Sequence, residues 1–143
     1  MNMVLREATD GDKTRIFDLY RDAMGEFIQA IWGWDEQWQM DDFEKNWTRL
    51  TTEVIEIDSA FAGYIQTEVR RDYLYIAMLI LTPEQRSKGF GSSIIKDLRE
   101  RAAKSGKKLQ LQVFKLNHRA LEFYGKLGFH SVKDETHWIV MEQ

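Results

Sequence analysis

The sequence contains no cysteine. That excludes a disulfide framework, a thiolate zinc site, an iron–sulfur cluster and a cysteine nucleophile. Proline occurs once, at Pro83, and no Ser/Pro/Gly-rich linker, low-complexity stretch or internal repeat breaks the 143 residues. One continuous domain over residues 1–143 is therefore expected. No apolar run is long enough to cross a bilayer. The opening Met1–Asp12 segment lacks the basic-then-apolar build of a secretion signal, so the cytoplasm is the expected compartment. Positive charge is not in excess: 20 Lys and Arg against 23 Asp and Glu leave a net charge of -3, which disfavours a general nucleic-acid binder. His118, His130 and His137 are not spaced as metal ligands, and no metal is expected.

Apolar residues make up 43% of the chain, a globular balance whose periodicity changes along the sequence. Val4–Ala8 reads as a strand. Thr9 offers an N-cap to a long amphipathic helix carrying Ile16, Phe17, Leu19, Tyr20, Ala23, Met24, Phe27, Ile28 and Ile31, with Gly33 at its end. Met40, Phe43, Trp47 and Leu50 recur every three or four residues around Asp41 and Asp42 and predict a second, shorter helix. Strands are expected at Glu53–Ile57, Phe61–Val69 and Tyr73–Leu81, joined by turns at Asp58-Ser59 and at Arg70–Asp72. Gly63 within the second of these marks a bulge or a close approach. A helix from about Gly91 to Lys104 comes next, then a strand at Leu109–Phe114 and a helix capped by Asn117 and ended by Gly128. Short strands near Phe129–Val132 and His137–Met141 finish the chain. The order predicts an α/β fold, a mixed and mostly antiparallel sheet of six to seven strands with helices on both faces.

Chemistry is most legible after the apolar strand, in Leu81-Thr82-Pro83-Glu84-Gln85-Arg86-Ser87-Lys88-Gly89-Phe90-Gly91-Ser92. A strand runs into a glycine loop that opens a helix. Glycines let main-chain amides approach a ligand, and the first helical turn presents unpaired N–H donors with partial positive charge. Together they suit a phosphate or pyrophosphate, with Arg86 and Lys88 as nearby cations. The segment is neither a P-loop nor a complete dinucleotide fingerprint. Taken alone it also reads as a plain turn before a helix.

Arg86-x-x-Gly89-x-Gly91, followed by Asn117-x-x-Ala120-x-x-x-Tyr124-x-x-x-Gly128-Phe129 one helix and one strand later, resembles the two motifs of the GNAT superfamily of N-acetyltransferases. The resemblance covers nearly the whole chain. It implies the family's sheet, with a V-shaped split between central strands, and acetyl-CoA as cosubstrate. It places Leu79, Ile80 and Leu81 against the pantetheine arm, with the amide near Leu81 as an oxyanion donor. Arg86, Ser87, Lys88, Gly89, Phe90, Gly91 and Ser92 would wrap the pyrophosphate, and Asn117 would hold the pantetheine or adenosine end. Tyr124 would hold the cofactor's sulfur and, as general acid, donate a proton to the departing thiolate. A phenol titrates near 10 and a thiol near 8.5, so at neutral pH the phenol is protonated. Full transfer would be slightly uphill, which favours hydrogen-bond donation to the developing thiolate. Tyr124 also suits simple packing on its helix. The resemblance allows a homodimer.

One departure stands out. Where some family members carry a Glu, this sequence has Gln112, which cannot take a proton. The base must then be a water chain or another carboxylate, with Glu26, Asp35, Glu36 and Glu68 as candidates. Four of the five tryptophans fall between Trp32 and Trp47, and Trp32-Gly33-Trp34-Asp35 is similar to a segment of small bacterial members. Trp34, Asp35, Glu36 and Trp38 could bind a cationic amine through ring faces and carboxylates, or could pack helices on the sheet. The expected reaction is direct acetyl transfer to a primary amine in a ternary complex. A small cationic amine is the favoured acceptor and a peptide or protein amine the alternative. A non-catalytic CoA-binding module and a nucleotide-binding regulatory domain are the rivals from other classes.

Overall fold

The structure is a computed structural model that describes residues 2–143. Strand β1 (Met3–Glu7) leads through a 3-10 turn at Asp10–Asp12 into helix α1 (Lys13–Ile31). Asp12 fixes that junction. Its carboxylate accepts from the Thr9 amide at 2.8 Å, from both terminal nitrogens of Arg6 at 2.9 Å and from Arg15 at 3.0 Å. Helix α2 (Glu36–Arg49) follows, starting well before the Asp41-Asp42 pair where periodicity placed it. Its N-cap is Asp35, whose carboxylate accepts from the Trp38 amide at 3.0 Å. The first turn holds no regular apolar stripe, and buries the polar Gln39 instead.

The rest of the chain forms β2 (Thr51–Ile57), β3 (Ala60–Val69), β4 (Tyr73–Leu81), α3 (Phe90–Lys104), β5 (Lys108–Phe114), α4 (His118–Lys126), β6 (His130–Asp134) and β7 (Trp138–Glu142). These agree with the sequence reading to within about two residues at each end. Seven strands make one mixed sheet in the order β1-β2-β3-β4-β5-β7-β6. β1–β2, β2–β3, β5–β7 and β6–β7 pair antiparallel. β4 and β5, joined through α3, pair in parallel over Tyr73–Ile76 and Lys108–Leu111. β4 itself continues to Leu81.

The chain divides into two compact units. One is the chain up to Thr67 together with Met78–Gly91. In its core, α1 lays Ile16, Phe17 and Leu19, and α2 lays Phe43, onto Val54, Tyr64 and Ile80. The other unit is Glu68–Ala77 with Ser92–Gln143. Its buried residues include Ile94, Ile95 and Leu98 of α3, Leu109, Leu111 and Val113 of β5, and Tyr124 of α4.

Both readings of Gly63 hold. Ile55 faces Gly63 while Glu56 faces Phe61, so Ala62 is the extra residue of a β-bulge. Gly63 has φ +149°, and a Cβ there would lie 2.1 Å from the Ile80 carbonyl oxygen. Only glycine lets the bulged β3 approach the end of β4 this closely.

Candidate active site

The end of β4 presents its main chain in a defined way. The Ile80 carbonyl faces Gly63, and the Thr82 amide donates to the Ala62 carbonyl at 2.8 Å. Main-chain groups alternate sides along a strand, so the Leu81 amide and carbonyl face the other edge of β4. The Leu81 carbonyl there accepts from Arg86 Nε at 3.0 Å. Arg86 thus ties the glycine loop back to the strand that precedes it.

Pro83–Gln85 forms a single 3-10 turn. Ser87 and Gly89 then adopt positive φ, +60° and +88°, a backbone path that turns the chain into α3 at Phe90. Space is open where a Gly89 side chain would stand. Arg86, Ser87, Lys88, Gly89 and Ser92 are exposed or partly so, as are Phe90 and Gly91. The first amides of α3 lack a partner within the helix, which fits this segment to a diphosphate.

Asn117 caps α4 as expected, its Oδ1 accepting from the Ala120 amide at 3.2 Å. Tyr124 lies on the buried side of α4, edge-on to Phe123 and Phe129 at ring separations of 5.0 and 5.4 Å. It is 9% exposed. Burial pushes its phenol well above the ordinary value near 10.

Gln112 lies on β5 and is exposed. Its amide nitrogen donates at 3.1 Å to Oε1 of Glu135, a carboxylate in the turn between β6 and β7 that the sequence reading did not single out. Nothing in Asp134-Glu135-Thr136 separates Glu135 from a solvated turn residue; only the pairing of Gln112 with Val140 across β5 and β7 brings it alongside.

The tryptophan-rich segment is largely committed to structure. The Asp35 carboxylate caps α2. Glu36 pairs with Arg21 at 2.6 Å and accepts from Trp34 Nε1 at 2.9 Å; the Arg21 bond, then that of Trp34, lowers its carboxyl. The Trp34 ring packs on Phe17 and Tyr20 at 6.4 and 6.0 Å. Trp38 is 60% exposed. Glu26 is exposed, and Glu68 pairs with Arg70 at 2.9 Å. No cluster of three potential metal ligands occurs among the described residues, and no helix among them is long and apolar enough to cross a membrane.

Residues 14–129 match the Acetyltransferase (GNAT) family. The chain belongs to this family. It is an acetyl-CoA-dependent GNAT N-acetyltransferase. Its fold is shared with the PaiA N-acetyltransferase of Thermoplasma acidophilum in complex with coenzyme A, at TM-score 0.80 and 18% identity over 100% of this chain and 99% of that one. An acetyltransferase of Thermus thermophilus matches at TM-score 0.76 and 17% identity, covering 100% and 97%. The ribosomal-protein-S18-alanine N-acetyltransferase of Escherichia coli matches at 0.69 and 17%, covering 99% and 92%. In GNAT terms, the two motifs read from the sequence are the loop after β4 and helix α4.

Proposed function

We propose that this chain, acting as a single GNAT domain over residues 1–143, moves acetyl from acetyl-CoA directly onto the neutral primary amine of a small cationic acceptor. The observation that carries this reading is the end of β4. There the Leu81 amide faces an edge turned away from β3, and the loop held by the Arg86 bond to Leu81 opens α3. Amides of Ser87–Ser92 would hold the diphosphate, aided by Arg86 and Lys88. Leu79–Leu81 would align the pantetheine arm, and the Leu81 N–H would polarise the thioester carbonyl. Asn117 keeps its side-chain amide nitrogen for the cofactor while its oxygen caps α4. The cosubstrate supplies an acyl group activated as a thioester.

Tyr124 donates a hydrogen bond to the sulfur as it leaves. Its raised phenol makes full proton loss unfavourable, so donation without transfer is the role that burial permits. Glu135, held by Gln112, takes the proton that the amine must lose, directly or through a water. A carboxylate in the adjoining turn thereby does what Gln112 cannot. The net acidic charge favours approach of a cationic acceptor.

Two measurements test the proposal. Calorimetry should detect coenzyme A binding, and Arg86→Ala with Lys88→Ala should weaken it. Thiol release from acetyl-CoA should then be seen with small amines and be weaker with peptides bearing a free N-terminus. Turnover confined to peptides would replace the small-amine reading with the peptide alternative. Absence of coenzyme A binding would remove the assignment of the loop.

A further inference from the structure

Beneath α2 lies a small cavity of about 90 Å³, lined by Tyr20, Gln39, Asp42, Phe43, Asn46, Tyr64, Gln66 and Met78. It belongs wholly to the first unit. A single water needs roughly 15 Å³ of such space, so the cavity has room for a group larger than one water. The Tyr64 hydroxyl is fully buried and has no hydrogen-bond partner among the described residues. Buried polar groups are rarely left so, and a ligand with a polar head is one way to satisfy it.

The chemistry of the wall is one-sided. No Lys or Arg lines it. Asp42 brings a carboxylate whose one described bond is a long one, 3.3 Å from Asn46 Nδ2. The Tyr20 hydroxyl donates to Gln39 Oε1 at 2.9 Å, which leaves its own oxygen as an acceptor. Gln66 spends its amide nitrogen on Thr52 at 3.2 Å and keeps its carbonyl oxygen. Phe43 and Met78 supply apolar surface beside these oxygens. Burial and then the Asp42 charge push the Tyr20 phenol up to about 12, so the carboxylate's field reaches the Tyr20 hydroxyl. An ammonium group on an alkyl stem matches this set: three donors, one positive charge, methylenes behind.

We infer that this cavity anchors the distal ammonium group of an aliphatic diamine, whose other amine is the one acetylated. The inference rests on the small-amine reading above. Met78 and Leu81 stand three residues apart on β4, about 10 Å along the strand. A diamine gripped at Asp42 and Tyr64 could present its free amine toward the Leu81 end of the same strand. Specificity would then come from a second charge on the acceptor, and matched monoamines would be poor substrates.

The test compares diaminobutane, diaminohexane and diaminooctane with butylamine, hexylamine and octylamine. Binding is read by calorimetry on the full chain with coenzyme A present, and turnover by thiol release from acetyl-CoA. Diaminooctane should bind about tenfold more tightly than octylamine, and that ratio should fall toward one in Asp42→Asn. Tyr64→Phe should cut it several-fold with a thermal midpoint at or above that of the parent, since the change removes a buried hydroxyl without a partner. Loss of the ratio in a well-folded Tyr64→Phe protein cannot be blamed on unfolding. Equal binding of diamines and monoamines, a ratio that survives both substitutions, or a crystal soaked in diaminooctane with only water at Tyr64 would each overturn the inference. Should both amine series be acetylated with equal kcat/KM, the anchor fails and the small-amine reading stands. Should the diamine bind with the expected sensitivity yet never be acetylated, the cavity stands as a ligand site and the small-amine reading fails.

Discussion

In the proposed reaction, Tyr124 and Glu135 make opposite demands on the protein. Tyr124 must stay protonated, and its burial against Phe123 and Phe129 secures that. Tyr124→Phe should lower kcat by about 10²-fold while coenzyme A binds within a factor of two of the parent. A matching loss in coenzyme A affinity would mean that the ring only packs. Because the phenol is raised, kcat should show no decline from tyrosine ionisation below about pH 10. Glu135 must instead be ionised to receive a proton. Glu135→Gln should cost about 10²-fold in kcat/KM near neutral pH and regain rate as pH rises, because more of the amine is then already neutral. A pH profile parallel to that of the parent would make Glu135 merely a partner of Gln112.

At the scale of elements, the bulge in β3 positions the end of β4. Gly63→Ala would place a methyl 2.1 Å from the Ile80 carbonyl oxygen, at a φ of +149° that other residues rarely adopt. Main chain must move, so the variant should lose about 3 kcal/mol in urea unfolding, and its residual folded fraction should bind coenzyme A weakly. Parental stability and affinity together would show that β4 tolerates displacement there. Gly63 was readable as a break in a strand because glycine has little other reason to interrupt Phe61–Val69. β4, the loop after it and the Asn117 cap were readable for the same reason: each is set by local chemistry. The start of helix α2 was not, because its first turn is fixed by the Asp35 cap and carries Trp38 outward rather than an apolar stripe inward. Glu135 was hidden since strand pairing, not sequence spacing, brings it to Gln112. The cavity at Tyr64 was hidden too, because one inward tyrosine in a strand looks like any other core residue until the atoms around its hydroxyl are known.

The stability of the molecule as a whole should carry an acid limb set by Asp12. This buried carboxylate joins Arg6 of β1 to the start of α1, while Arg6 Nε reaches Glu56 of β2 at 3.1 Å. The Arg6 guanidinium holds the Asp12 carboxyl well below the usual carboxylate range, with the Thr9 amide and Arg15 adding to it against the opposing effect of burial. In the unfolded chain the same group titrates near 3.9. Above that pH it is ionised in both states, and the full contribution of the network to folding is present. As pH falls below it, the unfolded chain takes up a proton that the folded one refuses, so stability drops until the folded carboxyl is also protonated. Asp12→Asn removes the charge but keeps the shape. It should cost about 2 kcal/mol at pH 7, since it strips a buried partner from a half-exposed arginine, and it should flatten the decline between about pH 5 and 3. Urea midpoints measured across that range would decide the point. Parallel acid limbs in the two proteins would move the source of acid sensitivity away from Asp12.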